Sequence, residues 1–184
     1  MDARALDELI ASRRSNIFID ADAQVDDGLA DVLAVAAQFA PNHKRTWPLR
    51  LCFVTGDSRR SLGDTIADAM ASRGDDTAKV DKTRTKFMRA PLVVVVAAAH
   101  GSSDAETEEN RYSVAAGIQN LLLTCESRGL AALWGSPAKG ANGVINGFCG
   151  FDTTDHVMGI VYVGHPARAA APVDRPSPRV TRRD

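Results

Sequence analysis

Residues 92–99, LVVVVAAA, leave this chain few folds to choose from. Consecutive β-branched residues favour extended backbone. No polar residue alternates with them, so the strand they form must be covered on both faces. Pro91 opens the run and ends whatever precedes it. A strand of this kind lies inside a sheet with other elements packed above and below.

The neighbouring segments supply those elements. Leu6, Leu9 and Ile10 recur at helical spacing within a helix predicted over residues 2–14. A second helix is predicted over 26–38, capped by Asp26 or Asp27, with Leu29, Val32, Leu33 and Ala36 as its buried face. Pro41 and Pro48 bound a loop, and Leu49 to Val54 alternates as a strand. Two helices follow, over 58–72 and 76–88, parted by Arg73-Gly74-Asp75.

HGSSDAETEEN reads as a polar loop leading into a helix from Glu108 to Arg128, with Gly129 as its C-cap. From Val114 to Leu123 this helix is apolar or small almost all the way round. It therefore lies deep in a core or at a subunit interface, and in a domain this small the interface is favoured. A strand over 130–134, a short helix over 142–148 and a strand over 156–163 complete the pattern. The expectation is an α+β layered domain over residues 1–166, with a central mixed sheet of four to five strands flanked by helices. Residues 167–184 are proline-rich and arginine-rich, and read as an extended arm, solvated or packed on a partner subunit.

Composition excludes several classes. The 184 residues carry a formal net charge of −1, so no basic excess points to nucleic acid or an acidic membrane. No apolar run approaches the roughly 20 residues of a membrane-spanning helix. The N-terminus is charged and amphipathic, unlike a secretory signal. Cys52, Cys125 and Cys149 are far apart and form no CxxC, which suits a reduced, cytoplasmic chain. No GxGxxG follows a strand, and there is no Walker-type loop, no GxSxG elbow and no HExxH. The hard chemistry of an enzyme built on this chain falls to a cofactor.

One stretch suggests where. In SRRSNIFID, residues 12–20, two arginines and a serine stand where a helix ends and an apolar segment begins. Either the cations complement the negative helix C-terminus, or Arg13, Arg14 and Ser15 receive an anion. Four motifs occur in order: Arg13-Arg14-Ser15, Ala40-Pro41-Asn42-His43-Lys44, Arg89-Ala90-Pro91 and Leu133-Trp134-Gly135-Ser136. In this arrangement the chain resembles the short, minimal branch of the nitroreductase family, over about residues 2–166.

The resemblance implies an intertwined homodimer with FMN at each subunit interface. It implies hydride uptake from NADH or NADPH, then two-electron reduction of a nitroaromatic or quinone-like acceptor by a ping-pong scheme. It places Arg13, Arg14 and Ser15 at the flavin's phosphate and polar groups. His43 would reach the flavin from the other subunit, and Trp134 and Ser136 would stand beside it. Taken alone, His43 also reads as a solvated loop side chain and Trp134 as core.

Three positions depart from the family pattern. Gly135 replaces an arginine, Phe39 replaces an arginine, and Trp47 replaces a glutamine. Charge-assisted hydrogen bonds contribute roughly 1.5–3 kcal/mol each, so two losses cost an order of magnitude or more in affinity. Lys44, Arg45 and Lys139 are near enough in sequence to compensate. Phe39 and Trp47 would either stack on a flavin or fill its pocket. The alternative function is a degenerate, non-catalytic flavin or ligand binder on the same fold.

Overall fold

The computed structural model describes residues 3–183, so Asp2 of the first predicted helix and Asp184 of the arm lie outside it. The elements in chain order are α1 (Ala3–Ser12), α2 (Leu29–Gln38), β1 (Leu49–Val54), α3 (Ser58–Ser72) and α4 (Thr77–Thr85). They continue with β2 (Leu92–Ala98), α5 (Asp104–Glu126), β3 (Ala131–Gly135), α6 (Asn142–Cys149) and β4 (His156–Gly164). A 3₁₀ turn, His43–Arg45, precedes β1, and a second, Lys86–Arg89, joins α4 to β2. Among the described residues no helix is long and apolar enough to cross a membrane.

The sheet has the order β1-β2-β4-β3, with β2 inside and every residue of it buried. Strand parity then sorts the core into two halves. Val93 and Val95, with Val54, Ile160 and Tyr162, face α3, α4 and α6. Leu92, Val94 and Val96, with Ala132, Val161 and Val163, face α2 and α5. The result is a three-layered α+β domain, as the valine run requires. All three strand ladders are antiparallel, and the parallel pairing described is a single bridge, Ser15 to Ala132.

Two helix starts differ from expectation. α5 begins at Asp104, because Ser103 caps it by accepting from the Glu106 N–H at 3.2 Å. Glu106 in turn accepts from the N–H and hydroxyl of Ser102, at 3.3 and 2.7 Å. This Ser-x-x-Glu box is a helix signal set inside what reads as polar loop. α2 begins at Leu29 with Gly28 as N-cap, and neither Asp26 nor Asp27 caps it through its side chain. Asp26 instead accepts the Leu29 N–H through its backbone carbonyl, closing a turn ahead of the helix. Leu29, Leu33 and Ala37 form its buried face, while Val32 is exposed.

α5 is covered by its own subunit along Val114, Gly117, Ile118, Leu121, Leu122 and Cys125. α2 approaches so closely that a Cβ on Gly117 would stand 2.8 Å from the Ala37 carbonyl oxygen. On the sheet, β4 bulges where its register with β2 shifts, between Gly159 and Val157. The Trp134 indole lies across Gly159, donating from Nε1 to the Met158 carbonyl at 3.2 Å. A Cβ on Gly159 would fall 2.0 Å from that Nε1. Cys52 of β1 and Cys149 of α6 are in hydrogen-bonding contact, which draws the Cys52 thiol down to about 7 and pushes Cys149 up.

Gly117→Val is expected to destabilise the fold by about 2 kcal/mol or more through overpacking. Urea unfolding followed by circular dichroism checks this, and an unchanged midpoint would show that α2 yields freely. In a Trp47→Phe background, Gly159→Ala is expected to release the Trp134 indole and red-shift its fluorescence. An unshifted emission would mean the indole tolerates the methyl in place.

Candidate functional site

α1 ends at Ser12, whose hydroxyl is shared between the Leu9 carbonyl and Glu126 of α5, both at 3.1 Å. The chain then turns onto the edge of β3. Ser15 bridges to Ala132, and the Asn16 N–H donates to the Ala132 carbonyl at 3.0 Å. Asn16, only 6% exposed, locks the turn from inside. Its Nδ2 donates to the Arg168 carbonyl and its Oδ1 accepts the Phe18 N–H, both at 2.9 Å. Arg168 also stacks its guanidinium 3.3 Å from the centre of the Phe18 ring.

The two arginines of this turn have different partners. Arg14 folds back on the carbonyls of Ala11, Ser12 and Arg13, at 2.5, 3.1 and 3.0 Å, so it complements the helix end. Arg13 is half-buried, and its guanidinium has no hydrogen bond or ion pair among the described residues. The exposed Ser15 hydroxyl is likewise without one. Arg175 donates to the Arg13 carbonyl at 3.1 Å, bringing a third guanidinium to the segment. The sequence leaves Arg175 in an arm either solvated or packed on a partner subunit, since a basic run carries no mark of where it folds back.

Further along β3, Trp134 is opposite Val161 and Gly135 opposite Ile160. Trp134 is 39% exposed, so it is partly covered and partly at the surface. A Cβ on Gly135 would meet its nearest neighbours at 3.8 Å, so packing does not require glycine there. Ser136 follows, exposed, and lines a cavity of about 450 Å³ together with residues of α4.

Phe39, His43 and Trp47 stand elsewhere. Phe39 caps the C-terminus of α2 and is 81% exposed. His43 places Nδ1 2.8 Å from Glu109 of α5. Lys44, Arg45 and Trp47 adopt left-handed φ of 58°, 55° and 49°. Such backbone is strained for residues with side chains and persists only when held. Asn42 holds it, accepting the Trp47 N–H at 2.9 Å and donating to Thr46 Oγ1 at 3.0 Å. Thr46 donates to the buried Asn110 at 2.6 Å, and Asn110 donates to the Ala99 carbonyl at 3.1 Å. This Asn42–Thr46–Asn110 chain was not legible in the sequence, because its members lie on separate elements. It turns the Trp47 side chain outward, 54% exposed.

The candidates thus fall into two groups. Arg13, Arg14, Ser15, Trp134, Gly135 and Ser136 flank β3, and Phe39, His43 and Trp47 flank β1 and the α2–α5 pair. β1 and β3 are opposite edges of the sheet with two strands between them. That separates the groups by about 14 Å in the sheet plane.

Residues 10–165 match the nitroreductase family. The Escherichia coli (strain K12) protein named "Putative NAD(P)H nitroreductase YdjA" is 26% identical over 178 residues, covering 95% of this chain and 97% of its own. The crystal structure of the nitroreductase-like family protein from Bacillus cereus superposes with a TM-score of 0.77 at 25% identity, covering 94% of this chain and 91% of that one. The FMN-dependent nitroreductase NfnB from Mycobacterium smegmatis, in complex with NADPH, superposes with a TM-score of 0.72 at 17% identity, covering 90% and 89%. The match spans the turn after α1, both edge strands and all of the sheet, and this chain belongs to the nitroreductase family of oxidoreductases.

Proposed function

We propose that the protein is a cytoplasmic, FMN-dependent NAD(P)H oxidoreductase that reduces nitroaromatic or quinone-like acceptors by a ping-pong scheme. The observation that carries this reading is the half-buried residue Arg13, its guanidinium unpaired among the described residues, two positions from an equally unpaired Ser15 hydroxyl. A half-buried cation without a partner is costly unless an anion completes it. An FMN phosphate suits the pair, since Arg meets it with a planar fork and Ser adds a donor. Arg175, fastened to the Arg13 carbonyl, supplies a further cation.

A bound flavin would supply the two-electron chemistry between NAD(P)H and the acceptor. The chain's own residues hold and orient. Arg14 stays on the helix end and fixes the turn that presents Arg13 and Ser15. Trp134, pinned to Met158, is a wall beside the ring. No side chain need act as acid or base, because the acceptor's protons can come from solvent.

The separation of the two residue groups supports a homodimer. In it, the β1-edge group of one subunit completes the β3-edge group of the other, as FMN at a subunit interface requires. The arm from residue 167 onward lies against this site through Arg175, with the rest of its described length free to reach the partner. The NfnB neighbour, an FMN-dependent nitroreductase bound to NADPH, supports the cofactor and the electron donor.

The second reading, a non-catalytic flavin or ligand binder, draws on Gly135, where a family arginine is missing without any packing reason. A visible spectrum after FMN addition and desalting separates the two, together with turnover of NAD(P)H against a quinone. Wild-type protein is expected to retain flavin and turn over. Arg13→Ala is expected to weaken FMN binding roughly ten- to a hundred-fold, the equivalent of one charge-assisted hydrogen bond. Retained flavin without turnover would favour the binder, and a flat visible spectrum at saturation would overturn the oxidoreductase and leave the degenerate binder.

A further inference from the structure

The cavity at Ser136 is a concentration of positive charge in a chain whose net charge is −1. Lys79, Lys82 and Lys86 line it from α4 and the turn that follows, at spacings that share one helical face. Lys139 lines it from the loop after β3. None of the four ammonium groups has a carboxylate or hydrogen-bond partner among the described residues.

The acids at the same cavity are committed elsewhere. Asp75 pairs with Arg73 at 2.8 Å. Asp76 caps α4, accepting the Lys79 N–H at 3.1 Å. Arg73 also donates to the carbonyls of Lys139 and Gly140, at 3.0 and 3.2 Å, which fixes the lysine-bearing loop against α3 and α4. Thr83, 6% exposed and without a side-chain hydrogen bond among the described residues, lines the same space. Lys86 is half-buried with its ammonium 5.0 Å from the centre of the Phe87 ring. Burial, Arg89 and Lys82 all lower its proton affinity, so an anion arriving there relieves repulsion already present.

We propose that this cavity is a phosphomonoester site that takes the 2′-phosphate of NADPH and so selects NADPH over NADH. The proposal rests on the reading of the chain as an NAD(P)H oxidoreductase. Flexible ammonium groups are point charges and suit a tetrahedral dianion without demanding the planar match an arginine fork requires. FMN carries the other phosphomonoester, and in that reading it is held at Arg13 and Ser15. Ser15 bridges to Ala132, and Ser136 lies four residues further along the strand and its exit. That is about 13 Å of extended chain, so the two anion sites are separate.

The test uses the FMN-loaded protein and the double variant Lys79→Ala, Lys82→Ala, both positions being exposed. The ratio of kcat/KM for NADPH to that for NADH is expected to fall at least about ten-fold, the equivalent of roughly 1.4 kcal/mol. An unaltered ratio overturns the proposal. If the ratio stands while FMN affinity falls, the lysines serve the flavin phosphate and the NADPH assignment is wrong. A calorimetric titration with adenosine 2′,5′-bisphosphate and with 5′-AMP reads the site without turnover. Wild type is expected to bind the bisphosphate at least about ten-fold more tightly, and the variant to lose that preference. Equal binding of the two nucleotides to wild type overturns the proposal. Failure of the flavoenzyme reading shows separately, as wild-type protein that binds no FMN.

Discussion

Everything in this molecule depends on burying β2 from both sides. Seven consecutive residues without a polar side chain leave no face for water, so helices must cover the sheet above and below. Antiparallel pairing with β1 and β4 satisfies the β2 backbone on both edges. The sheet therefore ends in β1 on one side and β3 on the other, and polar, chemistry-bearing residues collect at those edges. The turn after α1 joins β3 through Ser15 and Asn16, and the strained loop before β1 presents Trp47. The two halves of the candidate site are separated by the element that holds the fold together.

Much of this architecture is legible in the sequence because it follows from local pattern. β1 and α3 run as their alternation and helical spacing indicate, and the valine run is the interior strand. The helical stretch 114–123 is buried within the chain along one side, Val114, Gly117, Ile118, Leu121 and Leu122, because Gly117 lets α2 come close. The starts of α2 and α5 are less legible, since both depend on caps. Ser103 and Glu106 form a capping pair that looks like acidic loop, while Asp26 and Asp27 look like caps and form a turn instead.

At the site, residue types were readable and their partners were not. Nothing in Arg13-Arg14-Ser15 distinguishes the arginine that folds onto the helix end from the one left unpaired. That depends on where the chain turns, which Asn16 fixes through Arg168, more than 150 positions away. Arg175 joins the segment by the same long-range route, and Asn42 reaches Asn110 through Thr46. Trp134 was open to readings as core or as a flavin neighbour, and its partly exposed indole, lying across Gly159, is not simply core.

If the flavin is held between the two edges of the sheet, its binding needs two chains. Size-exclusion chromatography of FMN-loaded protein, with light scattering and visible absorbance read on the same peak, tests it most directly. Flavin absorbance is expected only in a species of about twice the 19.6 kDa chain mass, with one flavin per chain. Flavin carried by a species of subunit mass would contradict it.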